Sequence, residues 1–132
     1  MKYLLDTHVI LWALKGNILP DNIKSIILDH DNKIYYSTVS VWEVQLKHQK
    51  FDYFKLSGKQ FSFLCDQNCL ENLQITNRHV EGLQKIESKD KNNSHIDPFD
   101  RMLLAQSLSE KMIFVTHDDK FRNYASDNII FF

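Results

Sequence analysis

Two carboxylates stand three residues apart in His95-Ile96-Asp97-Pro98-Phe99-Asp100-Arg101-Met102-Leu103-Leu104-Ala105-Gln106, where apolar spacing predicts the start of a helix. Further acids fall at Asp6, Glu43, Asp118 and Asp119. Carboxylates are hard oxygen donors, and with no partnering Cys such donors suit Mg²⁺ or Mn²⁺ over Zn²⁺. A cluster of acids holding hydrated magnesium suits phosphodiester hydrolysis. One ion readies the attacking water while another steadies the leaving oxygen. That chemistry requires residues spread over most of the chain to meet in one place.

The elements that must bring them together alternate. Lys2-Tyr3-Leu4-Leu5 is a short strand ending at Asp6, and Val9 to Leu14 a short helix ended by Gly16 and Asn17. A second helix starts at Pro20-Asp21 and carries Ile23, Ile26 and Ile27 on one side. Ile34-Tyr35-Tyr36 is the second strand. Ser37-Thr38 offers caps for a helix through Val39, Trp42 and Leu46. Phe51 to Leu56 is irregular, and Ser57 to Leu70 resumes helical spacing through Phe61, Leu64 and Cys65. Leu73-Gln74-Ile75 is a weak third strand, and Asn77 to Ile86 a helix with Val80 and Leu83 inward. Glu87 to Ser94 reads as an exposed loop, and the helix that follows runs to about Lys111. Met112 to Val115 is the clearest strand, Asp118 to Tyr124 a short helix, and Ile129 to Phe132 a last strand.

Strands alternating with helices imply a parallel sheet covered on both faces. Each crossover helix runs against its strands, so helix N-termini share an edge with strand C-termini, where ligands bind. All six acids map to that edge. Each also has an ordinary explanation. Asp97 is a natural N-cap with Pro98 at the first helical position, and Asp100 favours the helix dipole. Asp6 and Asp118 serve equally as caps, and Glu43 pairs with Lys47 on a solvated face. The set changes the balance. Converging carboxylates raise each other's pKa values, and a fold tolerates them when divalent cations occupy the site.

Bulk properties exclude other classes. A chain of 132 residues, 43% hydrophobic and 25% charged, suits one domain with a real core. The net charge of −1 gives no overall pull towards nucleic acid, so any such binding rests on local patches. No apolar run spans a membrane, and an acid at position 6 comes too early for a signal peptide. Cys65 and Cys69, four apart on one helix, are a poor disulfide pair; a reduced cytoplasmic chain is expected.

Four stretches together resemble the PIN-domain ribonucleases, and among them the VapC-type toxins of toxin–antitoxin pairs. They are Leu4-Leu5-Asp6-Thr7-His8-Val9-Ile10-Leu11-Trp12, Ser40-Val41-Trp42-Glu43-Val44, the opening stretch, and Val115-Thr116-His117-Asp118. The resemblance implies an α/β fold: a PIN-like three-layer α/β/α sandwich with a central, mostly parallel sheet of about five strands, as a single domain over 1–132. It implies an acidic quartet of Asp6, Glu43, Asp100 and Asp118 as catalytic residues and ligands of Mg²⁺ or Mn²⁺. Asp97 belongs to the same motif and would help through water or by supporting the ligands, with Asp119 beside Asp118 as a further possibility. Thr7 and Thr116 would orient metal-bound water. Ile96 departs from the Arg often found there, which removes one positive charge near the site. Lys47, His48, Lys50 and Arg101 are candidate phosphate contacts, Lys47 and Arg101 foremost. His8, His95 and His117 flank the acids, and His8 more plausibly packs than binds metal.

The implied reaction is metal-dependent endonucleolytic cleavage of single-stranded or looped RNA by in-line attack of water. The implied partners are an RNA substrate, a cognate antitoxin lying over the acidic groove, and a second copy in a homodimer, with no membrane. Ile23, Ile27, Phe51, Tyr53 and Phe54 are candidate antitoxin contacts, with core packing the simpler role for the isoleucines. The alternatives are a catalytically inactive PIN-like interaction domain and a metal-dependent phosphatase. A haloacid-dehalogenase-type phosphatase wants Asp-x-Asp after the first strand, where this chain has His8 two beyond Asp6. A receiver-type phosphoacceptor wants an acidic pair there and a late Lys, both missing.

Overall fold

The computed structural model describes residues 1–86, 97–124 and 126–132. In it the chain runs β1 (Lys2–Leu5), α1 (Thr7–Leu14), α2 (Asp21–Leu28), β2 (Lys33–Ser37), α3 (Thr38–Lys50), α4 (Gly58–Gln67) and β3 (Glu71–Leu73). It continues through α5 (Asn77–Glu81), a 3₁₀ helix at Gly82–Lys85, α6 (Pro98–Ser109), β4 (Ile113–Thr116), a 3₁₀ helix at Asp119–Asn123, and β5 (Ile129–Phe131).

Side chains alternate across a strand, and here the alternation builds two cores. Tyr3 and Leu5 of β1, Ile34 and Tyr36 of β2, and Val115 of β4 join α1, α2 and α4 in one cluster. Leu4 and Phe114, one residue out of phase, join α6 and the Asp119–Asn123 turn in the other. The result is the expected three-layer α/β/α sandwich. Its five strands lie in the order β3-β2-β1-β4-β5, and all four pairings are parallel. β1 leads to β2 on one side and β4 to β5 on the other. The crevice for a ligand therefore opens between the C-terminal ends of β1 and β4.

Several element boundaries depart from the sequence expectation. β3 lies at Glu71–Leu73, two residues before the run Leu73-Gln74-Ile75. α4 stops early because Cys69 takes a left-handed φ of 63° and the Leu70 amide turns back to the Cys65 carbonyl at 3.1 Å. Leu70 then packs on the core and the chain enters the sheet at once. The expected helix 77–86 is a short α-helix that tightens to 3₁₀ at Gly82. Val80 is 48% exposed rather than inward, while His79 is fully buried. Trp42 and Leu46 also face outward, because α3 turns Val39, Ser40 and Val44 to the interior. Ile23 is buried and Ile27 packs on the core, the simpler role expected of them. Cys65 is buried, Cys69 exposed, and both are free. The stretch Glu87 to Ser94, with His95 and Ile96, lies outside the described residues.

Candidate active site

Asp6 is fixed by the sheet and by the helix it starts. Its amide donates to the Val115 carbonyl at 2.9 Å, which ties the end of β1 to β4. Its side chain caps α1: Oδ1 accepts from the Thr7 amide at 2.8 Å, and Oδ2 from the Thr116 hydroxyl at 2.7 Å. The residue is 4% exposed. Burial pushes its carboxyl up to about 6. The Thr116 hydrogen bond, the charge of His8 and the Thr7 amide pull the other way, and Glu43 adds to the rise.

Thr116 also accepts from the Asp118 amide at 3.0 Å, so one hydroxyl brackets the two acids that follow β1 and β4. The Thr7 hydroxyl lies 2.8 Å from that of Ser40 and joins α1 to α3. Both threonine hydroxyls, expected to meet water, thus bond within the protein.

Asp97 is the N-cap of α6, accepting from the Phe99 amide at 2.8 Å and the Asp100 amide at 3.4 Å, with Pro98 opening the helix. That start sets Asp100 in the first turn. Its carboxyl is pushed up to about 8, first by burial and then by the charges of Asp97, Asp6, Asp118 and Glu43. Acids from four separate segments therefore act on one carboxyl.

The other expected residues have local partners. Glu43 meets Lys47 at 3.4 Å, one helical turn on. Asp118 Oδ1 accepts from the Lys120 amide at 2.9 Å. Asp119 is exposed and pairs with Arg122 at 3.0 Å. Arg101 donates from Nη2 to the Leu83 carbonyl at 3.1 Å. His8 is exposed, and His117 lies between the rings of Trp12 and Phe132, each 4.9 Å away by centroid.

Among the described residues no three acid, His or Cys side chains stand close enough to form a finished set of metal ligands. The donor chemistry nevertheless fits a hard divalent cation. The acids around Asp100 offer carboxylate oxygens alone, and their mutual repulsion is what such an ion would relieve.

Two features escape a reading of the sequence. Trp42 and Phe99 meet edge to face at 4.8 Å, each one residue before an acid of the quartet. Their adjacency to Glu43 and Asp100 was the available signal. Behind the site, the Ser37 hydroxyl donates to Gln106 Oε1, and Gln106 reaches His79. Away from the acids, a groove of about 740 Å³ runs between α1, Tyr53 to Leu56 and α4, with Lys15, Lys55 and Lys59 on its lining.

A family model described as the PIN domain matches residues 3–127. Among solved structures the chain is similar to one in VapBC2 from Rickettsia felis bound to a DNA fragment from their promoter. The identity is 20% and the TM-score 0.68, over 99% of this chain and 97% of that one. A chain of the DNA-bound VapBC from Salmonella typhimurium gives 16% identity and a TM-score of 0.69, over 99% and 98%. VapBC-1 from nontypeable Haemophilus influenzae gives 19% and 0.61, over 93% and 92%. No curated protein matches. Identities this low speak for the fold, and the family match covers nearly the whole sequence: the chain belongs to the PIN-domain family.

Proposed function

We propose that this protein is a Mg²⁺-dependent endoribonuclease, the toxin of a toxin–antitoxin pair. The observation that carries this is the Asp100 carboxyl, raised to about 8 by burial and by Asp97, Asp6, Asp118 and Glu43. Four further carboxylates bearing on one half-buried carboxyl are costly to a fold unless they serve a cation.

Asp6, Glu43, Asp100 and Asp118 would hold Mg²⁺, with Mn²⁺ an acceptable substitute. Bound there, the ion would lower the pKa of water and offset charge building on the scissile phosphate. The chain's own residues do the rest. The Thr116 hydroxyl donates to Asp6 Oδ2 and the Thr7 amide to Oδ1, which locks the carboxylate plane. Asp97 holds the start of α6 and thereby places Asp100. Glu43 would give its carboxylate to the ion, and Lys47, 3.4 Å from it, would be a phosphate contact. One carboxylate takes the proton of the attacking water. Hydrolysis would leave a 5′-phosphate and a 3′-hydroxyl.

The VapBC neighbours support an antitoxin partner, and the apolar groove lined by Leu11, Tyr53, Phe54 and Leu56 is a surface for it. A homodimer and a cytoplasmic location complete the proposal. Among the described residues no helix is long and apolar enough to cross a membrane.

The test is incubation of antitoxin-free protein with a structured RNA and Mg²⁺, with and without EDTA. Magnesium-dependent cleavage is expected, and Asp6→Asn should lower its rate at least about a hundred-fold while the protein stays folded. Absence of cleavage by the wild-type chain would leave a PIN-like interaction domain as the better description.

A further inference from the structure

Among the described residues, the two cations expected to meet phosphate beside the acids already have partners. Lys47 is tied to Glu43 at 3.4 Å, and Arg101 is directed to the Leu83 carbonyl at 3.1 Å. The chain as a whole carries a net charge of −1. A grip that does not depend on charge would add to what these cations give a substrate strand.

Trp42 supplies the chemistry for one. It stands on α3 immediately before Glu43, and Phe99 stands on α6 immediately before Asp100. The two rings meet at 77° with centroids 4.8 Å apart. Edge-to-face contact fixes ring orientation and covers at most one face of one ring. Phe99 packs on the core cluster around α6, which anchors the pair, while Trp42 is 55% exposed. An oriented, half-open indole at the rim of a phosphodiester site matches the platforms on which unpaired bases stack. Every base presents a π-face, so such a platform tolerates sequence.

We propose that Trp42, braced by Phe99, stacks on an unpaired base of the RNA strand whose phosphodiester lies at the acids. This rests on the ribonuclease reading for its substrate. It gives the expected choice of unpaired RNA a residue, and adds a binding contribution that salt barely weakens, since stacking displaces no counterions.

The test uses the full chain carrying Asp6→Asn, to stop turnover, and Trp12→Phe. The chain has two tryptophans, so Trp42 is then the sole indole reporter. Three probes are titrated without antitoxin: a single-stranded RNA oligomer, the same strand in a perfect duplex, and an abasic ribose-phosphate oligomer of equal length. Quenching of Trp42 fluorescence by the single strand alone is expected. Trp42→Ala and Trp42→Leu should each weaken single-strand binding about ten-fold, read by anisotropy of a labelled RNA, while Trp42→Phe keeps most of it. Leu keeps apolar bulk without a planar face and serves if the Ala variant fails to fold. Equal quenching by the abasic oligomer, or unchanged binding by Trp42→Leu, overturns the platform. So does shielding of Trp42 that grows with protein concentration without RNA, which would mark an interface between copies. Base-dependent quenching without Mg²⁺-dependent cleavage by the wild-type chain would sink the nuclease reading and leave the platform standing. Cleavage without quenching would do the reverse.

Discussion

Asp6, buried, and Asp100, half-buried, both hold their carboxyls above the ordinary range, but their surroundings differ. Asp6 keeps two hydrogen bonds that favour its charged form, and burial outweighs them to leave it near 6. Asp100 is raised first by loss of solvent and then by like charges, with no hydrogen bond among the described residues to oppose them, and stands near 8. A carboxyl raised in the folded state binds its proton more tightly there than in the unfolded chain. The stability this gives is complete below the unfolded pKa, about 4, and is lost as pH rises from there to the folded value. Between pH 6 and 8 the loss comes mainly from Asp100. Asp100→Asn removes the titration, so we predict a metal-free variant about 1–2 kcal/mol more stable than the parent at pH 8. At pH 4.5 the two should be nearly equal. Urea melts in EDTA at both pH values check this, and a variant less stable at pH 8 would contradict it. The same variant should lose Mg²⁺-dependent cleavage, because an amide oxygen carries no charge to offset the ion's.

At the scale of the element, α3 and α6 must keep a fixed relation, since one carries Glu43 and the other Asp100. A buried polar chain holds them. Ser37, the cap of α3, donates to Gln106 Oε1 of α6, and Gln106 Nε2 lies 3.4 Å from His79 Nδ1. His79 Nδ1 also accepts from the Thr76 amide at 3.1 Å, so the ring proton sits on Nε2 and is donated to Glu110 at 2.8 Å. Gln106→Ala leaves the Ser37 hydroxyl without its acceptor and opens a hole between the helices. A loss of about 2–3 kcal/mol is expected by chemical denaturation. A small angle between the helices matters to the acids, so cleavage should fall by more than the folded fraction does.

That chain shows where reading the sequence stopped. Val80 has the right type and spacing for a core position, and His79 beside it counts as polar. Yet α5 lasts five residues before the backbone tightens to 3₁₀, so the helical phase that pointed Val80 inward never becomes established. His79 is buried because Nδ1 closes a local capping box with Thr76 while Nε2 finds Glu110, 31 positions on, a fact of tertiary structure. Trp42 fails the same test for the opposite reason. Its apolar surface suggests the interior, but the Thr7–Ser40 contact turns the small face of α3 inward instead. By contrast, Asp97 with Pro98 and Ser37 with Val39 were legible as caps. Capping is local chemistry between residues two or three apart.

For the whole molecule, the edge on which the acids fall was legible because alternating strands and helices leave few arrangements of a sheet. Which strands are neighbours was not, and it is the pairing of β1 with β4 that sets Asp6 beside the chain leading to Asp118. Stability of the assembled protein should report the site as a unit. A cation binding only the folded, deprotonated form raises the melting temperature, and more so where the competing proton is scarce. We predict that millimolar Mg²⁺ raises the melting temperature by several degrees at pH 8 and by much less at pH 5.5. An equal rise at both, or none in the wild-type chain, would count against a metal site built on Asp100.

The bond from the Thr116 hydroxyl to Asp6 joins residues 110 positions apart in sequence. Chains emerge from the ribosome N-terminus first, and domains fold as they emerge. A nascent chain carries Asp6 and Glu43 long before β4 exists to meet them, so its first half is a scaffold waiting for a keystone. Synthesis interrupted before β4 then yields a fragment in which Asp6 lacks its Thr116 partner. Whatever chemistry this site performs waits on β4.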